Sequence, residues 1–243
     1  MNQYAYLRFE LLRTFRNRRF FLFSLGIPLV FYWLIASPQH NKLISHTGLT
    51  YAAYYMIGLA SFGTMMSMIS TGARIATERQ AGWTRQLRIS PLSVRSYFRA
   101  KVLTGYAMAL ASLLLLYVSG ALLGVSLPAQ RWLEMTGLIL VGLLPFAALG
   151  ILVGHLVTTD SVGPLMGGLV SLLAFLSGTW FPITNGFLHT LGQFLPSWWL
   201  VQASHIAVNG HGWGARGWIT ILAWTVVLAA AAGWAYRRDT GKV

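Results

Sequence analysis

The chain has 243 residues, of which 56% are hydrophobic and only 9% charged, and it carries a formal net charge of +13. With a mean hydropathy of +0.59, that balance excludes an ordinary water-soluble domain and places the chain in a bilayer. The positive charge is scattered between apolar runs instead of gathered on a basic face, which argues against nucleic acid as a partner, and the absence of cysteine removes disulfides, thiolate metal sites and cysteine nucleophiles.

At the N-terminus, Tyr4, Leu7, Leu11 and Phe15 recur at spacings of three, four and four, while Arg8, Arg13 and Arg16 fall away from that stripe. The pattern predicts an amphipathic helix over about 4–18 that lies in the membrane interface. A plain basic anchor ahead of a membrane helix would use the same arginines.

Between charged residues lie uncharged runs at 20–41, 43–73, 102–130, 135–159, 161–215 and 217–236. Each can supply the roughly 20 residues that a helix needs to cross the hydrocarbon core with its backbone polar groups satisfied internally. The expected architecture is all-α and polytopic, with six transmembrane helices at about 20–37, 49–73, 102–126, 135–157, 163–182 and 217–236 in a single domain. The first is not a cleavable signal peptide, because its apolar stretch is too long and no small-residue cleavage site follows at once.

The run 161–215 is long enough for two spans, but from Phe187 onward it carries His189, Gln193, Pro196, Gln202, His205 and Asn209. Those residues are too polar for a lipid-facing helix. The segment 183–211 is therefore expected as an outer re-entrant or interfacial hairpin, with Trp198 and Trp199 at headgroup level. Six spans put fifteen of the eighteen Lys and Arg on one side and leave Lys42, Arg131 and Arg216 on the other. Both termini are then expected in the cytoplasm, with the protein in the plasma membrane.

The loop 74–101 contains a charged island from Glu78 to Pro91, ERQAGWTRQLRISP. Trp83 and Leu87, four apart, share one helical face, and Gly82 and Ser90-Pro91 bound a short helix. A short amphipathic helix with an aromatic anchor suits insertion into a groove on a soluble partner, whereas a plain solvated loop would only supply positive charge.

Elsewhere the chemistry is sparse. All five acids, Glu10, Glu78, Glu134, Asp160 and Asp239, lie at or outside the span ends, which disfavours an ion-coupled secondary transporter. Six scattered histidines form no metal or catalytic motif. His155 and Asp160 are expected to serve capping and turn chemistry. Gly142, Gly150 and Gly154, with Gly163, Gly167 and Gly168, are expected to permit close helix packing. Trp33, Trp180, Phe181, Phe187, Phe194, Trp198 and Trp199 collect toward the outer side. They form either an interfacial belt or an apolar exit path shaped by Pro182 and Pro196. With no charge from 161 to 215, a hydrophobic or amphipathic cargo is favoured.

The order Glu-Arg-x-x-Gly-Trp-x-Arg-Gln-Leu-Arg-x-Ser-Pro-Leu, followed by Tyr97 and Lys101, resembles the cytoplasmic signature of ABC-2 type transporter permeases. Ser177 to Ile183, SGTWFPI, followed by Leu195-Pro196, is similar to the family's segment at the outer end of the fifth span. Many members have Gly-Thr where this chain has Gly82-Trp83, and acids where it has Gln80 and Arg85. In that respect the chain is similar to the subgroup associated with antibiotic or lipid export.

The resemblance implies the membrane half of an exporter. No G-x-x-x-x-G-K-[ST] loop occurs, so ATP and Mg are expected on a separate ABC ATPase subunit, with no cofactor or metal bound here and no enzyme activity in this chain itself. It further implies pairing with a second permease, identical or homologous, and a cytoplasmic coupling helix docked in the ATPase. That role would fall to Glu78, Arg79, Gly82, Trp83, Arg85, Leu87 and Pro91, flanked by the N-terminal helix. Trp83 and Leu87 would be the buried anchor, Arg79, Arg85 and Arg88 would set orientation against acidic groups or lipid phosphates, and Gly82 would permit a tight approach. The possible substrate path would run past Trp180, Phe181, Pro182, Phe194, Pro196, Trp198 and Trp199. The alternative from a different class is a non-transporting membrane sensor or scaffold.

Overall fold

The computed structural model describes residues 3–44, 48–90, 92–209 and 212–240. Among them it is helical throughout apart from turns, loops and one isolated bridge, Leu43 to Thr50. The chain opens with α1 (Gln3–Arg16) and a short α2 (Arg18–Phe21). A π-helical segment (Leu22–Gly26) then runs through α3 (Ile27–Ala36) into a 3-10 turn (Ser37–Gln39). After the bridged loop come α4 (Tyr51–Ala73), α5 (Ile75–Gln80), α6 (Trp83–Ile89) and α7 (Val94–Leu122). The rest comprises α8 (Ala129–Gly142), α9 (Leu144–Leu156), α10 (Thr159–Leu176), α11 (Gly186–Gly192), α12 (Pro196–Asn209) and α13 (Ala215–Thr240).

Six helical stretches are long and apolar enough to cross a bilayer: Leu22–Gln39, Tyr51–Gln80, Val94–Leu122, Ala129–Leu156, Thr159–Leu176 and Ala215–Asp239. Local chemistry sets their ends. Thr50 caps α4 by accepting from the Ala53 N–H at 3.2 Å, and Ser93 caps α7 by accepting from Ser96 N–H at 3.2 Å. The fourth stretch is divided between α8 and α9 at Leu143, where Pro145 at the start of α9 withholds an amide donor.

α4 is the buried centre, with α3, α7, α9, α10 and α12 packed around it. Its hydroxyls are largely consumed internally: Thr64 donates to the Ala60 carbonyl at 2.8 Å and Thr71 to the Ser67 carbonyl at 2.7 Å. α4 and α9 approach so closely that a Cβ on Gly150 would lie 2.6 Å from the Ile69 carbonyl oxygen. The close packing expected of Gly150 and Gly154 is therefore present, Gly154 facing the Gly72 carbonyl at 2.6 Å. The same expectation for Gly163, Gly167 and Gly168 needs correcting within the chain, since a Cβ at any of them would meet nothing. They lie on α10, a peripheral helix most of whose surface is open.

The outer surface is apolar. Leu34, Leu114, Val118, Leu172, Ile219 and Val226 all point outward and are more than half exposed. A soluble domain would hide such a belt, whereas a bilayer solvates it. The two chain ends share one end of this bundle, called here the terminal end: α1 packs on α7, and the last turns of α13 reach the end of α9.

Candidate functional site

The terminal end gathers three of the chain's five acids, Glu10, Glu78 and Asp239, around the segment α5–α6. On α1, Tyr6, Glu10 and Thr14 recur every four residues and turn into the protein, each nearly or fully buried. The opposite side leaves Tyr4 and Phe15 exposed, with Leu7 and Leu11 half-buried between. The apolar stripe legible in the sequence thus faces outward, and the helix turns an acid inward.

That acid meets Lys101, which is 1% exposed. The Lys101 ammonium donates to Glu10 Oε1 at 2.6 Å and to Glu78 Oε1. Glu78 also accepts from Arg13 Nη1 at 2.9 Å and from the Tyr97 hydroxyl at 2.6 Å. Arg74 donates to Thr14 Oγ1 at 2.7 Å, and the Lys101 ammonium lies 5.4 Å from the Tyr97 ring centroid. A fully buried ammonium is sustained only by compensating charge and hydrogen bonds, and the two carboxylates supply both. Burial, with Glu10 and Glu78 close by, pushes the Tyr6 phenol well above its ordinary pKa, so it stays neutral beside them.

The neighbouring residue faces a second cluster. Arg79 donates to the Gly154 and His155 carbonyls at 3.1 and 2.9 Å and to Asp239 Oδ1. Asp239 Oδ2 lies 3.1 Å from His155 Nδ1. The rings of Phe98 and Tyr236 flank His155 at 5.9 and 5.6 Å between centroids. His155 is therefore an internal hydrogen-bond partner of Asp239 and not the helix-end cap expected from the sequence. Successive residues of α5, Glu78 and Arg79, bind this segment to α1 and α7 on one side and to α9 and α13 on the other.

α6 follows a tight turn at Gly82, whose φ of +77° suits glycine, while a Cβ there would meet nothing. The conformation, not a close approach within the chain, accounts for glycine at this position. Trp83 stacks on Tyr6 with centroids 6.2 Å apart and planes at 17°, and it joins Leu87 against a small apolar core of Tyr6, Ile75, Leu92, Tyr97 and Ala100. The expected anchor pair is thus packed inward on the N-terminal helix. Gln86, Ile89 and Ser90 face out, Ile89 being 89% exposed. The side chains of Arg85 and Arg88, and Pro91 entirely, lie outside the described residues.

At the far end the aromatic residues divide. Trp180 packs between Phe31 and Phe62 at 5.5 and 5.6 Å, and its carbonyl accepts from Tyr55. Phe181 meets Phe175 edge-on at 5.1 Å, and Pro182 is exposed. Separately, Pro196 starts α12, Trp198 is buried against His189, and Trp199 donates to the Gln193 carbonyl at 2.9 Å. Phe194 is exposed while its carbonyl accepts from Trp224 at 2.8 Å. Trp33 donates to Ser119 at 3.3 Å.

Glu10, Lys101, His155 and Asp239 escaped the sequence reading as partners of the segment α5–α6. One signal was available: Glu10 is an acid lodged between Phe9 and Leu11 in an otherwise basic arm. The pairing with Lys101, 91 residues away, had none. Among the described residues no three His, Asp or Glu side chains are gathered as a metal ion would require.

Comparison with known proteins agrees with this architecture. The chain is 30% identical over 218 residues to a protein of Bacillus subtilis (strain 168) named as a transport permease, YvfS, covering 88% of this chain and 86% of that one. Residues 37–235 match the family described as ABC-2 family transporter protein, so with its six apolar helices this multi-pass membrane chain belongs to the ABC-2 family as a permease subunit.

Proposed function

We propose that the chain is the membrane half of an ATP-driven exporter, and that α5–α6 is the element through which a separate ABC ATPase acts on it. The family implies an ABC ATPase partner in general; the assignment of the contact to this segment rests on one observation. α5 is bound through adjacent residues to four other helices, while α6 leaves Ile89 89% exposed on the side away from the protein. A rigidly held element with an uncovered apolar residue is suited to receive a push from a partner and pass it to the spans.

In this proposal Ile89, with Gln86, makes the direct contact. Glu78, Arg79, Gly82, Trp83 and Leu87 hold the segment in shape from behind; the coupling role proposed for the Arg85 side chain and for Pro91 falls outside the described residues. ATP and Mg are held by the ATPase. α1 lies in the cytoplasmic interface on its Tyr4, Leu7, Leu11 and Phe15 face, and both termini are cytoplasmic. The hairpin of α11 and α12 enters the bundle from the outer side: the Leu200 carbonyl accepts from Ser61, inside α4, at 3.1 Å. Two permeases pair, and the cargo is hydrophobic or amphipathic, passing the aromatic residues of the far end.

The test is co-purification from detergent with a candidate ABC ATPase, followed by ATP hydrolysis. The native chain should hold the ATPase and alter its turnover, and Ile89→Asp should lose the ATPase while the chain still inserts and folds. Full association and coupling in Ile89→Asp would rule out this contact surface, and no association of the native chain with any ABC ATPase would rule out the exporter.

A further inference from the structure

Charge at the terminal end is not balanced by the chain itself. Glu10 and Glu78 are taken by Lys101 and Arg13, and Asp239 by Arg79. Glu134 is with Arg131, and Asp160 stands in the first turn of α10. Among the described residues, Arg8 on α1 and Arg95 and Arg99 on α7 have no carboxylate within ion-pair distance.

Beside these arginines a cleft of about 150 Å³ opens between α1 and α7. Tyr4 and Leu7 wall one side, and Ser96, Arg99, Ala100 and Leu103 the other. The α7 residues recur at three, one and three, so they form one stripe along the helix. Polarity changes along it, from the Ser96 hydroxyl and the exposed Arg99 guanidinium to the half-exposed Leu103 isobutyl group. Seven residues at the helical rise span about 10 Å. That is the depth over which a membrane surface passes from headgroup to acyl chain. Tyr4, 71% exposed, faces it from α1, and Arg8 and Arg95 lie one helical turn from Tyr4 and Arg99.

We propose that this cleft is a binding site for one anionic phospholipid, with its phosphate held by Arg99 and Ser96 and its first acyl segment laid against Leu103 and Leu7. The site rests on the reading of α1 as an interfacial helix. Three arginines without acids supply complementary charge for a phosphodiester that bears no compensating cation. A free phosphate would use the polar end alone and leave the apolar wall uncovered. A zwitterionic lipid would bring its own cation to the same arginines. By joining α1 to α7, the lipid would brace the two helices that enclose Lys101.

The experiment is native mass spectrometry of the full chain from detergent carrying equal phosphatidylglycerol and phosphatidylcholine of matched acyl chains. The native chain should retain phosphatidylglycerol selectively. Arg99→Gln should lower that retention about ten-fold, as loss of one charge-assisted contact predicts, Leu103→Ser should lower it as well, and soluble glycerol phosphate should not compete. Unchanged retention in Arg99→Gln, equal binding of both lipids, or displacement by glycerol phosphate would each overturn the site. The chain has no cysteine, so a spin label at Phe15→Cys separately reports the depth of α1. A label in bulk water would overturn the interfacial reading; a label in the interface with unchanged retention in Arg99→Gln would overturn the lipid site alone.

Discussion

Arg79 and Asp239, 160 residues apart in sequence, are joined through guanidinium and carboxylate, and the same guanidinium takes two carbonyls from the end of α9. The last helix of the chain is thereby bound to the segment that precedes α6. Displacement of α5 must move α9 and α13 as well as α1 and α7, because close-packed, hydrogen-bonded elements shift together and do not deform separately.

Removing that guanidinium should loosen the terminal end without abolishing the fold. Arg79 is about a quarter exposed, so solvent screens part of the loss, and Arg79→Met should cost about 1–2 kcal/mol. Asp239→Asn keeps an acceptor and should cost less. Thermal unfolding in detergent measures both, and an Arg79→Met transition unchanged from native would show that the contacts contribute nothing.

Lys101 should be far less forgiving. Replacing it with Met leaves Glu10 and Glu78 buried without their shared cation, a change expected to cost about 3–5 kcal/mol. The triple variant Glu10→Gln, Lys101→Met, Glu78→Gln removes all three charges and should recover much of that loss. Yield and unfolding temperature of the two variants check this. A triple variant no better than Lys101→Met would mean that the buried charges stabilise beyond mutual compensation.

The six apolar helices were legible in the sequence because a bilayer demands long uncharged runs, and such runs are visible without knowing what packs on what. The helix at the N-terminus was legible by its period. Its inward face was not, since periodicity reveals two faces but not which one meets protein; Tyr4 and Phe15 stay outside while Glu10 goes in. The segment α5–α6 stands out in the sequence by its charge and its Trp83–Leu87 spacing. The partners of Glu78 and Arg79 come from 23 and 160 residues away, distances that no local pattern encodes. The glycines illustrate the same limit, because Gly150 and Gly167 look alike in sequence and have opposite surroundings.

Those two glycines give a contrast. Gly150→Ala would set a Cβ 2.6 Å from the Ile69 carbonyl oxygen, backbone that cannot step aside cheaply, and should cost about 1–3 kcal/mol through forced separation of α4 and α9. Gly167→Ala meets nothing within the chain and should leave stability unchanged or slightly raised by helix propensity. If permeases pair through the exposed small residues of α10, Gly163→Leu with Gly167→Leu should reduce cross-linking between copies while leaving the unfolding temperature of each chain intact. Loss of stability in Gly167→Ala would show that the Gly167 face of α10 has a partner within the fold.

Trp83 packs inward and Ile89 is exposed on one short helix, and the two should fail in different ways. Trp83 packs on Tyr6, so Trp83→Ala removes part of the small core between α1, α6 and α7 and should cost about 2 kcal/mol, less than a full core deletion because the indole is only partly buried. Its effect on coupling should follow from a loosened segment: the ATPase still binds, more weakly, and its turnover responds less to the permease. Ile89 is 89% exposed, so Ile89→Asp should leave the unfolding temperature unchanged and lose the ATPase outright, since a charge would replace the apolar residue at the contact. Measuring unfolding temperature and co-purified ATPase on the same preparations separates the two. Equal effects of both variants on both readouts would mean that the helix has no distinct inner and outer role, and the contact would have to be sought on another part of the terminal end.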